Sequence, residues 1–402
     1  MESTYLYRTE NFWVSPFNAR AQEKFKNTAP RKVQIHDATL RDGEQTPGLV
    51  FRKEDKIKIA RKLDELGVDR IEAGMPVVSE DDYEAIKAIS ALGLKAKIFA
   101  FCRANPKDVE KAADAGVDGV GIEVPAGLPR LKYQFKWTEE EVIERALKGV
   151  TRAKELGLYV TFFPYETTRA ERDFLQRLVT TVVNEGKPDS VAVIDTSGSA
   201  LPWAVADLVQ EVKAWSELPV EVHCHNDFGM AVASQLAAVN AGASVVHTCI
   251  NGLGERTGNA SLEQIILGLK VLMGYDLPVK TEKIKELSTL VEELAGYPVP
   301  RQQPVTGQYA FSREIGPGMD LLLTNPLAIF PLNPLYIGNS SRMIFGKKSG
   351  ATSVEVKLKQ LGLAAGGEQV REIVALIKEK ALAKKDMLTE EELLAVINGV
   401  LK

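Results

Sequence analysis

Two short segments of this 402-residue chain gather side chains able to hold a metal ion. One reads Asp37-Ala38-Thr39-Leu40-Arg41-Asp42-Gly43-Glu44-Gln45, with three acids and a guanidinium close together. The other reads His223-Cys224-His225-Asn226-Asp227 and contains two of the chain's four histidines. On a strand, residues i and i+2 share a face, so both imidazoles can reach one ion. An acid from the first segment completes a two-His, one-carboxylate set with vacant positions, which suits a Lewis-acid ion better than a closed structural site. Asp42 is the preferred acid, with Asp37 and Glu44 as competitors that spacing does not rank. An HxH pair alone is as often structural as metal-binding; its place at a strand end tips the balance. A third segment, Asn251-Gly252-Leu253-Gly254-Glu255-Arg256-Thr257-Gly258-Asn259, runs into a helix and can form a site wall whose glycines free backbone N–H groups. Asn259 offers a further oxygen ligand, and a tight structural turn is the bland alternative. Arg41 has two readings, a salt bridge at the mouth with Glu44 or Glu72 and stabilisation of a developing oxyanion.

The elements that must position these groups repeat. Short apolar runs at Val33–Ile35, Arg70–Ala73, Ala96–Phe101, Gly119–Glu123, Tyr159–Phe163, Ser190–Ile194, Val220–His223 and Val245–Ile250 read as eight strands. Amphipathic stretches between them read as helices, some with capping boxes at Ser79/Asp82 and Thr138/Glu141. That alternation predicts an α/β fold, a TIM (β/α)8 barrel over 31–275, which puts the two metal-binding segments at strand C-termini where barrels carry their sites. Residues 1–30, with Tyr5, Tyr7, Phe12, Trp13 and Phe17, are expected to form an arm strapped across the barrel. Residues 276–346 are expected to form a linker or lid over an active site or a neighbouring subunit, and 347–402 a small, mainly helical C-terminal subdomain.

A net charge of −4 offers no basic field for nucleic acid or anionic lipid. Cys102, Cys224 and Cys249 lack the spacing of a zinc or redox motif, and no apolar run reaches membrane length. The expectation is a cytoplasmic protein with no nucleic-acid or membrane partner.

Arg41-Asp42-Gly43-Glu44-Gln45-Thr46-Pro47-Gly48, His223-Cys224-His225-Asn226-Asp227-Phe228-Gly229 and Gly252-Leu253-Gly254-Glu255-Arg256-Thr257-Gly258-Asn259-Ala260 resemble the signature segments of the DRE-TIM metallolyases. The resemblance is nearest to the isopropylmalate, homocitrate and citramalate synthases and the Re-type citrate synthase. It runs from about Val33 to Leu272 and in outline to about Gly350. It implies a divalent metal (Mn, Mg or Zn) on Asp42, His223 and His225 with Asn259 in or beside the shell, acetyl-CoA as co-substrate, and a 2-oxo acid chelating the ion. Arg41 would steady the keto oxygen, Thr196 would bind the C1 carboxylate, and Gln45 and Glu72 match other places beside the substrate, with Gly254, Glu255 and Arg256 along the wall. The reaction would be an aldol-type addition of the acyl-CoA enolate followed by thioester hydrolysis, in a homodimer.

The chain departs from that pattern. Counting without a gap, the His and Tyr that serve proton transfer in the synthases fall on Gly318 and Ile329. At strand 5 the synthases have Ser-x-Glu-Asp, whereas Phe163-Pro164-Tyr165-Glu166 stands here and is similar to the hydroxymethylglutaryl-CoA lyase branch; that branch's glycine-loop Cys is absent. The acid–base set is therefore expected to be rebuilt, with Glu44, Tyr165 and Glu166 as catalytic candidates and Tyr309, Arg313, Glu314, Asp320 and Tyr336 as further ones. The rewiring, and the end of the chain at Lys402, argue against an ordinary leucine-pathway enzyme. Arg301, Arg313, Lys347 and Lys348 are candidates to meet the distal carboxylate of a dicarboxylic oxo acid, the preferred substrate class. A lyase running the cleavage and a non-catalytic metal-binding barrel are the alternatives.

Overall fold

The structure, a computed structural model, describes residues 7–402, so Tyr5 of the aromatic arm lies outside the described residues. Eight parallel strands close in sequence order: β1 (Gln34–Asp37), β2 (Arg70–Glu72), β3 (Lys97–Arg103), β4 (Gly119–Pro125), β5 (Tyr159–Tyr165), β6 (Ser190–Asp195), β7 (Val220–Cys224) and β8 (Ala243–Thr248). β8 pairs with β1 to complete a TIM barrel. A short helix, α1 (Phe17–Gln22), precedes it, and α2 (Lys53–Leu66), α3 (Glu80–Ser90), α4 (Pro106–Asp114), α5 (Glu139–Glu155), α6 (Arg172–Thr181), α7 (Pro202–Ser216), α8 (Ala231–Ala241) and α9 (Leu262–Leu267) follow the strands in turn. Both expected caps form: the Ser79 hydroxyl accepts from the Asp82 N–H at 3.0 Å, and Thr138 and Glu141 satisfy each other's backbone N–H groups. The strands expected to stop at Phe101, Glu123 and Phe163 run two residues further, because pairing outlasts the apolar run: Arg103 is opposite Glu123, and Pro125 is opposite Tyr165.

The barrel interior is not wholly apolar. Glu221 on β7 is fully buried and collects donors from four other strands: Arg70 on β2 at 2.8 Å, Thr161 on β5 at 3.0 Å, Ser190 on β6 at 2.7 Å and His247 on β8 at 2.7 Å. Burial alone would raise its carboxyl; His247 and Arg70 hold it well below the usual range instead. His247 stacks on His36 of β1 with ring centroids 4.2 Å apart and planes 3° from parallel. Parallel rings aim their in-plane lone pairs side by side, so this cluster, with Glu221 already neutralised by Arg70, reads as a structural belt.

The chain divides into two compact units, residues 16–298 and residues 7–15 with 299–402. The barrel unit therefore extends past the expected 275 boundary. It takes in α10 (Ile284–Ala295), which buries Ile284, Leu287 and Val291 and is joined to the loop after β8 by reciprocal hydrogen bonds between Asn251 and Ser288. Of the expected arm, residues 16–30 join the barrel unit, with Thr28 donating to the Asn240 carbonyl, while residues 7–15 join the second unit, where the Trp13 N–H donates to the Pro331 carbonyl and Phe12 bridges Leu332. That unit also contains a two-stranded ribbon, β9 (Ser312–Arg313) with β10 (Arg342–Met343), a short α11 (Met319–Thr324), and α12 (Ala351–Gln360), α13 (Gly367–Lys384) and α14 (Glu390–Val400) packed through Leu358, Ile373, Ile377, Leu393 and Ile397. Among the described residues no helix is long and apolar enough to cross a membrane.

Glu221→Ala, which strands a buried guanidinium, is expected to cost about 3–5 kcal/mol. Lys97→Ala, which removes an exposed pair with Asp118, should leave the urea midpoint near that of the unmodified protein. Equal midpoints for the two variants in urea unfolding followed by circular dichroism would sink the belt's structural role.

Candidate metal centre and active site

Three side chains converge at the C-terminal mouth of the barrel. Asp42 Oδ2 lies 3.0 Å from His223 Nε2 and 3.7 Å from His225 Nε2, and the two imidazole nitrogens are 3.3 Å apart. Ligand atoms held about 2.0–2.2 Å from one ion sit about 3.0–3.5 Å from each other, so this triangle fits a metal centre. Asp42 Oδ1 and Asn259 Oδ1 are both buried without a hydrogen-bond partner, and such groups cost free energy unless something coordinates them. Local folding explains the convergence. After β1 the chain turns back on itself, the Asp42 and Gly43 N–H groups donating to Ala38 O, while β7 presents His223, opposite Ile194 of β6, and His225 just past its last pair. Asn259 is drawn in because Gly258, at φ +85°, lets the loop after β8 fold tightly: its Asn259 N–H donates to Gly252 O, and Gly258 O accepts from Asn226 N. The Thr46 hydroxyl ties the loops after β1 and β8 together, accepting from Gly254 N at 2.9 Å.

Protein side chains supply counter-charges at this mouth. Arg41 Nε lies 2.6 Å from Glu72 Oε2, its Nη1 is 3.5 Å from Asp42, and its guanidinium covers the Phe101 ring at 3.9 Å. Burial by itself would raise the Asp42 carboxyl, yet Arg41, His225 and His223 hold it well below the ordinary range, and Glu72 likewise falls to about 2 against burial through Arg41 and His36. Burial pushes both imidazoles down, His225 to about 4 despite Asp42, so they are neutral near pH 7 and able to coordinate. Asp37 is not part of the triangle: its oxygens accept from Thr39 N and the Thr248 hydroxyl, and burial pushes it up to about 7.

The triad lies on a cavity of about 540 Å³ that Arg41, Glu44, Gln45, Tyr165, Thr196 and Glu255 also line. Glu44 is a tethered group there, with Oε2 2.6 Å from the buried Lys56 ammonium, which also holds Asp82, and Oε1 accepting from Phe51 N. The Thr196 hydroxyl oxygen accepts from Glu166 N at 2.8 Å, leaving its own proton to donate into the cavity. Glu166 itself does not reach the cavity. The chain leaves β5 at Tyr165, Glu166 takes a left-handed backbone at φ +58°, and its carboxylate turns away to Arg130 and Arg169. Glu72 stays behind Arg41. Gly254 serves the Thr46 tie and Arg256 spans Asp227, Glu255 and Thr196 O at the rim, so of the expected wall of Gly254, Glu255 and Arg256 only Glu255 lines the cavity. In the second unit, Arg301 holds Tyr309 and Asp386, Arg313 donates to Pro317 O, and Glu314 accepts from Lys348 N.

Sequence reasoning missed Glu123, Arg130, Phe101 and the aliphatic wall of Leu49, Val50, Met75 and Val78. A signal existed for Glu123: it shares strand parity with Gly119 and Gly121, whose missing side chains mark the inward face of β4.

Residues 32–291 match the HMGL-like family model, and residues 305–385 match the homocitrate synthase post-HMGL domain-like model. The chain belongs to the HMGL-like family. This HMGL-like enzyme is 44% identical over 350 residues to a probable 2-isopropylmalate synthase of Methanopyrus kandleri, covering 87% of this chain and 70% of that one. It is 43% identical over 371 residues to an (R)-citramalate synthase of Methanocaldococcus jannaschii (92% and 74%), and 38% identical over 389 residues to a homocitrate synthase of Methanothermobacter thermautotrophicus (97% and 98%). A solved hydroxymethylglutaryl-CoA lyase from Pseudomonas aeruginosa shares the fold, with a TM-score of 0.62 at 20% identity over 68% of this chain and 96% of that one. Its relatives thus include synthases that differ in their oxo acid.

Asp42→Asn should weaken Mn2+ binding by calorimetry on the order of 100-fold or more, whereas Asp37→Asn should stay within about threefold of the unmodified protein. The reverse order would assign the carboxylate ligand to Asp37.

Proposed function

We propose that this HMGL-like enzyme condenses the acetyl group of acetyl-CoA with a metal-chelated 2-oxo acid and releases CoA. The observation that carries this reading is the buried convergence of Asp42, His223 and His225 beside the unpartnered oxygen of Asn259, with Arg41 adjacent. Asp42, His223, His225 and Asn259 would hold the ion, which supplies Lewis-acid polarisation of the acceptor carbonyl when bound. The buried Arg41 Nη2, which has no partner, is available to donate to the keto oxygen as it gains charge, while Glu72 fixes the guanidinium in place. The Thr196 hydroxyl donates to the C1 carboxylate, its oxygen being oriented by the Glu166 N–H. Glu166 is thus a positioning residue.

The cavity wall favours an aliphatic oxo acid over the dicarboxylic one expected from the sequence. Leu40, Leu49, Val50, Met75 and Val78 line it, and its two cations are already engaged, Arg41 by Glu72 and Asp42, and Arg130 by Glu166 and Gln134. A distal carboxylate among these walls would lose hydration, and neither of the two cations lining them is unengaged.

Free thiol released from acetyl-CoA, measured with pyruvate, 2-oxoisovalerate, oxaloacetate and 2-oxoglutarate in turn, tests both levels. The expected result is chelator-sensitive release with a kcat/KM about tenfold or more higher for an aliphatic acid than for either dicarboxylate. A preference for 2-oxoglutarate would restore the homocitrate reading, and cleavage of a hydroxyacyl-CoA without condensation would replace the synthase by a lyase. His225→Ala should abolish turnover together with metal binding. Arg41→Ala should keep the metal and lose on the order of 100-fold or more in kcat; full activity in either variant would refute the assigned roles.

A further inference from the structure

Enolisation of a thioester needs a base inside the cavity, and the carboxylates there can be taken in turn. Five line it: Asp42, Glu44, Asp82, Glu123 and Glu255. Asp42 belongs to the metal triangle. Glu44 and Asp82 share the Lys56 ammonium at 2.6 and 2.5 Å, and Glu255 is 2.7 Å from Arg256. Glu123 alone among them makes no side-chain hydrogen bond or ion pair with the described residues. It is half-buried near the end of β4, opposite Phe163 in the register, and with Tyr165 it lines both the main cavity and a neighbouring one of about 320 Å³ that contains Phe135 and Trp137. An unengaged carboxylate in an aromatic wall, with Phe101 and Phe163 facing the same cavity, is poorly solvated and therefore basic.

We propose that Glu123 is the catalytic base that removes the α-proton of the acyl thioester. This inference rests on the condensation proposed above and names the proton acceptor that the chain uses where the related synthases' His and Tyr positions fall on Gly318 and Ile329. A carboxylate lone pair of Glu123 takes the proton, and the C–H bonding pair becomes the thioester enolate. The enolate carbon attacks the keto carbon of the 2-oxo acid, and the carbonyl π pair moves onto oxygen. Glu123 then gives up its proton to the new alkoxide. Water later adds to the thioester carbonyl and the C–S bond breaks, CoA leaving as the thiol. The basicity of Glu123 agrees with this: burial pushes it up to about 7, Arg41 and Arg103 oppose, and Glu72 and Asp108 add to the rise. Tyr165, whose hydroxyl burial and the nearby Glu123 hold well above its ordinary range, is a proton donor at neutral pH and no rival base.

The test uses the metal-loaded full chain, its preferred oxo acid and acetyl-CoA in three measurements: thiol release, exchange of the acetyl methyl protons with D2O by NMR in the presence of the non-condensing analogue oxamate, and Mn2+ affinity by calorimetry. Glu123→Gln is expected to lose on the order of 100-fold or more in both kcat and deuterium exchange while Mn2+ affinity stays within about threefold. Glu123→Asp should recover part of the rate and displace the acid limb of the kcat/KM profile, which a purely structural role would not do. Glu123→Gln within about threefold of the unmodified rate, while the unmodified enzyme turns over, overturns the base and leaves the condensation standing. Loss of Mn2+ binding in both variants makes Glu123 structural and also overturns it. If the unmodified enzyme releases no thiol with any oxo acid, the condensation fails and the base falls with it.

Discussion

The guanidinium of Arg41 stands between two buried carboxylates, Glu72 at 2.6 Å and Asp42 at 3.5 Å, and the barrel mouth depends on that arrangement. Without a cation there, burial would drive Asp42 towards its neutral form, and a protonated carboxyl is a poor metal ligand. With it, both acids stay ionised while burial keeps His223 and His225 neutral. The group then carries one net negative charge, a field that attracts a single dication and still leaves the guanidinium facing whatever oxygen gains charge beside it. The same residue thus keeps Asp42 ionised and still has an unpartnered Nη2 to offer.

Much of this was legible in the sequence because period and spacing are local properties. Eight β-branched runs alternating with amphipathic stretches specify the barrel, and an i, i+2 pair of histidines on one strand has to share a face. What was not legible depends on backbone turns and long-range partners. Glu166 follows Tyr165 in sequence and looks like its catalytic companion, yet one left-handed residue sends its carboxylate to Arg130 and Arg169. Glu44 and Asp37 competed with Asp42 on paper; Lys56 and Thr248, which engage those two acids, are distant in the chain. Glu123 hid between Ile122 and Val124 in what reads as a plain buried strand.

Placing Phe163, Tyr165, Glu123 and Arg130 around a triad shaped for metal describes a cavity whose ion site follows the family motifs while its wall does not. The aromatic surface of Phe101 and Phe163 excludes water from the Arg41 face, and Phe163 meets His223 edge-on with ring centroids 5.7 Å apart. Low local polarity strengthens each charge interaction that remains. It also raises the basicity of any carboxylate left without a partner.

Gly318 and Ile329, where the family resemblance leads one to expect a His and a Tyr, are neighbours in the second unit. Gly318 has φ +76°, and a methyl group grafted onto its α-carbon would approach the Ile329 Cδ1 atom to 3.1 Å. That backbone conformation favours glycine, and the Ile329 side chain stands where a larger residue would extend. Any side chain at Gly318 would have to accept that backbone and push Ile329 aside, so this corner of the second unit is shaped around the missing Cβ.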